Sequence, residues 1–271
     1  MIFVGMVTKK SIILLIFCLS AFLIPITHVD ASSNPNLFVS AENSQFNNRF
    51  SGSMVVEVII RDPNLRDTDQ GKGEPDVTLN GKSLRMVQST DGNWYAYFAN
   101  VNKAKIADST QSATSGKGLD FGVFCSRDTP STVFGVSFSQ TDGFSVPGNN
   151  GLSGFTNGAT SFTQCNGPPT APTILNNVVR HAQSINTNPN IPSGQIGLDP
   201  DAWPLIQLYS FNNDVKIQYN AGGNPQSVTL QYDDSTNVSF KIDKNTYPQN
   251  SEVFLTINDF QLNQDPTDED S

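Results

Sequence analysis

The chain is 271 residues long, 15% of them charged, with a net charge of −9 at pH 7. That length allows one or two domains with a sizeable core. The acidic balance leaves no basic surface to neutralise phosphates, so it argues against a nucleic-acid partner.

The N-terminus reads as an export signal. Lys9 and Lys10 precede a nearly pure apolar run from Ser11 to Ile24, broken by Pro25, and Val29-Asp-Ala31 fits a small-residue cleavage site. The run is short for a membrane span and is quickly followed by polar sequence. Residues 1–31 are therefore expected to be a signal peptide cleaved after Ala31. The other reading is an uncleaved N-terminal anchor, and Met6 is an alternative start. Cleavage removes Lys9, Lys10 and Asp30, which takes the net charge from −9 to −10. No second apolar run follows residue 31, so no transmembrane span is expected in the mature chain.

Residues 32–50 form a polar lead with a short strand near Phe38–Ala41. The stretch from Val55 to Asp76 then organises the chain. Val56, Val58 and Ile60 alternate with Glu57, Ile59 and Arg61, the period of a strand with one strongly apolar face. It runs into a loop holding Asp62, Asp67, Asp69, Glu74 and Asp76, where Pro63, Gly71, Gly73 and Pro75 prevent regular structure. Asn80–Gly81 between apolar runs signals a hairpin, because both residues accept the positive φ of a type I′ turn. Asp91–Gly92 marks the next turn, and Trp94 to Phe98 is an aromatic strand suited to a sandwich interior.

Residues 101–118 open with a helical patch and end in a Ser/Thr/Gly-rich loop. Leu119 to Cys125 and Val133 to Phe138 alternate and read as strands. Gly143 to Pro169 shows little periodicity and reads as loop held by Cys165. Asn176 to Ile185 fits either a short helix or a strand, and the Pro-rich residues 186–204 form a connection. Three closing strands follow at 205–211, 214–219 and 227–232, with Gly222–Gly223 as the last hairpin turn. Many short strands, frequent turns and almost no helix make an all-β sandwich pattern.

The strand-and-acid unit returns near the end. Val56 falls on Val253, Val58 on Leu255, Ile60 on Ile257, Asp62 on Asp259 and Leu65 on Leu262, each shifted by 197 positions. Dropping four loop residues also lays Ala41–Phe46 on Ile242–Tyr247. The expected organisation is therefore a β-sandwich module over residues 32–236, then the first strands of a second, truncated module over 237–271. A lone pair of strands cannot bury its own face, so the chain reads as the N-terminal piece of a tandem protein.

The chain has three cysteines, and Cys18 lies in the signal. The two that remain, Cys125 and Cys165, are most simply joined in an exported chain; two buried thiols are the alternative.

Several runs resemble the surface-layer proteins of ammonia-oxidising archaea. They are residues 73–88 (GEPDVTLNGKSLRMVQ), 91–98 (DGNWYAYF), 118–122 (GLDFG), 194–198 (GQIGL), 203–207 (WPLIQ) and 262–270 (LNQDPTDED). The resemblance implies a long secreted glycoprotein of tandem immunoglobulin-like β-sandwiches that self-associates into a porous cell-surface lattice, the S-layer, serving as cell wall. This chain departs from that pattern in ending where such proteins continue through further domains.

Three features carry candidate chemistry. Asp62, Asn64, Asp67, Asp69, Glu74 and Asp76 offer the oxygens that Ca²⁺ prefers, although their spacing is not that of an EF-hand; a solvated acidic loop is the plainer reading. Asn237-Val-Ser239 is a glycosylation acceptor in a turn between the modules. His181, the only histidine after the signal, has no nucleophile or metal set beside it and reads as a surface residue. Trp94 and Trp203 are expected in the core rather than as sugar platforms. No catalytic constellation is legible, and the chain is not expected to be an enzyme. The alternative to a structural lattice subunit is an exported, adhesin-like module that binds carbohydrate or protein.

Overall fold

The computed structural model describes residues 35–41, 47–111, 117–129, 134–146, 161–165, 177–233, 238–259 and 261–268. All lie in one compact unit, residues 34–271. Residues 1–31, expected to be a signal peptide, and Asn237, the expected glycosylation acceptor, fall outside the described residues.

The protein is an all-β sandwich; among the described residues one α-helix and three short 3-10 turns accompany the strands. The first sheet contains β1 (Leu37–Val39), β3 (Val56–Ile60), β6 (Val87–Gln88), β7 (Trp94–Asn100), β8 (Val123–Ser126), β9 (Gly143–Val146) and β10 (Ile206–Tyr209). Its order is β1-β3-β7-β10-β9-β8, and β6 shares the β10 edge of β7. The second sheet, β2-β12-β11-β4-β5, is built from β2 (Arg49–Ser51), β4 (Val77–Leu79), β5 (Lys82–Ser83), β11 (Val215–Ala221) and β12 (Asn224–Asp233). The strands pair antiparallel except β7 with β10 and β2 with β12. A separate ribbon pairs β13 (Ser239–Ile242) with β14 (Leu255–Asn258).

The core follows the alternation. Val56, Val58 and Ile60 of β3 and Trp94, Ala96 and Phe98 of β7 face Val77, Leu79, Ile217 and Leu230 of the second sheet. The opposite face of β7, Tyr97 and Ala99, packs against α1 (Val101–Asp108) together with Phe121 and Phe124. Asn100 caps that helix by accepting from Asn102 N and Lys103 N, and donates through Nδ2 to Phe211 O at 2.6 Å. Asn80 and Gly81 both take positive φ, 49° and 79°, as the hairpin signal requires.

Two sequence expectations fail, and glycine explains both. Residues 133–138 were expected to form a strand. The described part buries Phe134, Val136 and Phe138 without pairing as one. Gly135 sits at φ +83°, where a Cβ would lie 1.5 Å from Gly197 O, so the chain turns instead of extending. Conversely, Gly143–Val146 was expected as loop and is β9, inserted between β8 and β10. A Cβ at Gly143 would meet Phe162 at 2.4 Å and Cys125 O at 2.7 Å, so the glycine marks close packing inside a strand.

Cys125 on β8 is disulfide-bonded to Cys165, with Cα atoms 5.3 Å apart, and both are buried. The bridge spans a sequence separation of 40. Replacing both cysteines by serine should lower unfolding stability by about 4 kcal/mol, read by chemical denaturation. A change near zero would show that the loop is held by packing alone.

Asp108, at the end of α1, is fully buried. Its Oδ1 accepts from Phe121 N at 2.9 Å, while Oδ2 has no partner. Burial, helped by the charge of Asp120, pushes its carboxyl up to about 7. The folded state therefore holds this proton more tightly than the unfolded state. The group's contribution to stability is complete below the ordinary carboxylate range and is lost as pH rises to about 7. Asp108→Asn should remove that fall, which is at most about 1.4 kcal/mol per pH unit. Urea titrations from about pH 4 to about pH 8 check it; parallel pH profiles for the two proteins would contradict it.

Candidate functional site

The acidic loop is held by protein groups at most of its positions. Asp62 lies two residues beyond β3 and caps a single 3-10 turn at Pro63–Leu65. Its Oδ1 accepts from Asn64 N at 2.9 Å and Asn64 Nδ2 at 3.0 Å, and its Oδ2 accepts from Tyr219 OH at 2.7 Å. Burial and then the Asp62 carboxylate push the Tyr219 phenol up, so it stays a donor. Glu74 takes the Arg85 guanidinium, with Nε at 2.9 and 3.0 Å and Nη2 at 2.8 Å, and also accepts from Met86 N. Asp76 accepts from Asn220 Nδ2 at 2.9 Å.

Only Asp67 and Asp69 meet side by side. Asp67 accepts from Asp69 N at 3.3 Å and lies 3.4 Å from Lys72 Nζ. Hydrogen bonding between the two carboxyls pushes Asp69 up and holds Asp67 below the usual carboxylate range. The six residues expected as calcium ligands thus divide among four local arrangements. No group of three His, Cys, Asp or Glu side chains is placed to hold a metal among the described residues.

A second polar site joins residues 261–268 to the first sandwich, through pairs that are distant in sequence. Asp265 is 3% exposed. Its Oδ2 accepts from Arg180 N at 3.2 Å and Arg180 Nε at 3.0 Å, and its Oδ1 from Thr267 N at 2.9 Å and Thr267 Oγ1 at 2.6 Å. His181, exposed as expected, donates through its N–H to Thr267 Oγ1 and sets Nε2 3.2 Å from Asp268. Gln264 accepts from Val55 N through its backbone oxygen and from Ser53 Oγ through its side chain. Residues 261–268 therefore clasp the first sandwich beside the start of β3. Partners some 85 positions apart leave no local signal. Trp94 is buried, donating to Leu65 O, and Trp203 donates to Gln183 O while packing on Tyr97.

The chain matches no protein-family model, and comparison with curated proteins gives no match. The internal repeat is the remaining guide. β1 pairs β3 with Leu37 opposite Ile60 and Val39 opposite Val58; β13 pairs β14 with Phe240 opposite Ile257 and Ile242 opposite Leu255. The turn recurs as well: Asp259 Oδ1 accepts from Gln261 N at 2.9 Å, and Leu262 N donates to Asp259 O, as Leu65 N does to Asp62 O. One correction follows. The pairing lays Val39, not Ala41, on Ile242. A two-residue slip preserves which side chains face in, so alternation alone cannot detect it.

The two copies differ in what covers them. Leu37 and Ile60 are 1% and 0% exposed, whereas Phe240 and Ile257 are 68% and 53% exposed.

Asp265→Ala would leave the donors of Arg180 and Thr267 without their buried acceptor. The expected loss is about 1–3 kcal/mol, together with faster amide exchange confined to residues 261–268. Hydrogen exchange read by mass spectrometry checks this. Unchanged protection there would mean that Gln264 alone holds the clasp.

Proposed function

We propose that this chain is a structural component of a secreted cell-surface layer, assembled from tandem immunoglobulin-like β-sandwich modules that self-associate into a lattice. The observation that carries the reading is the recurrence of β1, β3 and the Asp62 turn as β13, β14 and the Asp259 turn. A tandem array reuses one unit in this way, and its first members are fixed to their neighbours by contacts such as the Asp265 clasp. The sequence resemblance to surface-layer proteins of ammonia-oxidising archaea supports the same reading. Export through residues 1–31 fits the disulfide, and glycosylation at Asn237 belongs to the same proposal. No helix among the described residues is long and apolar enough to cross a membrane. Calcium, the ion suggested by the acidic loop, enters the proposal only at Asp67 and Asp69, the two acids of the loop that lie side by side.

Negative-stain electron microscopy of the concentrated mature protein, with calcium and with chelator, tests the reading. Ordered two-dimensional sheets or regular oligomers are expected, better ordered with calcium. A monodisperse monomer under both conditions that binds a defined glycan would establish the adhesin-like alternative instead.

A further inference from the structure

The β13–β14 ribbon has one apolar face. Phe240 and Ile242 lie on it opposite Ile257 and Leu255, and period-two alternation adds Val238 and Val253. All six are exposed. On general grounds such a patch marks an interaction surface. Here the same molecule also displays what the surface fits. The matching residues of the first copy, Leu37, Val39, Val58 and Ile60, are buried in a core shared with the second sheet. The cover is an alternating one: Val215, Ile217 and Tyr219 of β11 and Val228 and Leu230 of β12 point inward, with their neighbours outward. Polar bonds also cross the layer boundary: Leu37 N donates to Gln226 Oε1 at 3.2 Å, and beyond the end of β3 Tyr219 OH donates to Asp62 Oδ2 at 2.7 Å.

We infer that the apolar face of β13–β14 is the docking surface for a β-sheet from outside residues 1–271 of the same design as β11 and β12, with alternating aliphatic residues and a tyrosine that donates to Asp259. This rests on the tandem-module reading above and names the partner of its second copy. Asp259 has the geometry for that role. Its Oδ1 is engaged by the turn through Gln261 N, as Asp62 Oδ1 is engaged through Asn64 N. Its Oδ2 is the atom equivalent to the one that receives Tyr219. An aliphatic cover without a hydroxyl would bury this carboxylate unpaired, which is costly. Tyrosine reaches from an apolar layer to its rim with a polar tip, and it does so here at Tyr219.

The probe is a synthetic peptide of residues 213–233, the protein's own β11–β12 hairpin, closed by a terminal disulfide. It is titrated into the mature chain, with hydrogen exchange as readout. The peptide should slow exchange at 239–242 and 255–258. A Tyr219→Phe peptide should bind about tenfold more weakly, and that difference should vanish against an Asp259→Asn chain. Phe240→Lys, at an exposed position that leaves the first sandwich intact, should abolish binding. Three results overturn the inference: no protection at millimolar peptide, binding that survives Phe240→Lys, or sedimentation showing that the face pairs with itself in a dimer broken by Ile257→Lys. None of these bears on whether sheets form under the microscope, so the two proposals fail separately.

Discussion

Strand β7 is the constraint on which the rest depends. All seven of its residues are buried, because both its edges are paired and both its faces are covered. Trp94, Ala96 and Phe98 enter the core between the sheets, while Tyr97 and Ala99 enter the core under α1. A strand covered on both sides loses its alternation and reads as one apolar run, which is how Trp94–Ala99 stands in the sequence. Its polar tips are satisfied locally. Tyr97 OH donates to Glu57 Oε2 at 2.9 Å, and burial raises that carboxyl. Trp94 Nε1 donates to Leu65 O at 3.0 Å, so the central strand also holds the turn that begins the acidic loop.

The next residues of that loop are gripped by a buried amide cluster. Gln88 donates through Nε2 to Leu65 O and Asp67 O, and its Oε1 accepts from Asn186 Nδ2 at 2.9 Å and Gln195 Nε2 at 2.7 Å. Gln195 also donates to Asp67 O, and Asn186 to Thr68 O. A buried polar network with every member bonded fixes geometry. The backbone from Leu65 to Thr68 is therefore shaped by neutral amides. The charged side chains at Asp67 and Asp69 project outside this frame, and Glu74 and Asp76 bond to Arg85 and Asn220.

Much of the fold was legible because its signals are local. The alternation of Val56 to Ile60, the Asn80–Gly81 turn and the helical patch at 101–108 each needed only adjacent residues, and each formed. The failures share one cause: the deciding partner lies far away in sequence. Gly143 is a strand residue because Phe162 and Cys125 O press on it, and Gly135 turns because Gly197 O does. The candidate site divided along the same line. Asp62 was legible as an acid at a strand end, but Tyr219, its partner 157 positions on, was not. The acidic loop looked like one cluster because sequence spacing carries no information about Arg85 or Asn220.

The second copy separates two kinds of interaction that act together in the first. Its turn and its strand register form without any cover, so the Asx bond of Asp259 and the backbone pairing suffice to write the ribbon's shape. Its attachment is polar too, through Asp265 and Gln264 at the clasp. What the ribbon lacks is the apolar burial that holds β1 and β3 against the second sheet, and two strands alone are marginal in water. Hydrogen bonds thus set the ribbon's register and hold residues 261–268 beside the start of β3. In the first copy the facing sheet adds the apolar burial to these polar contacts.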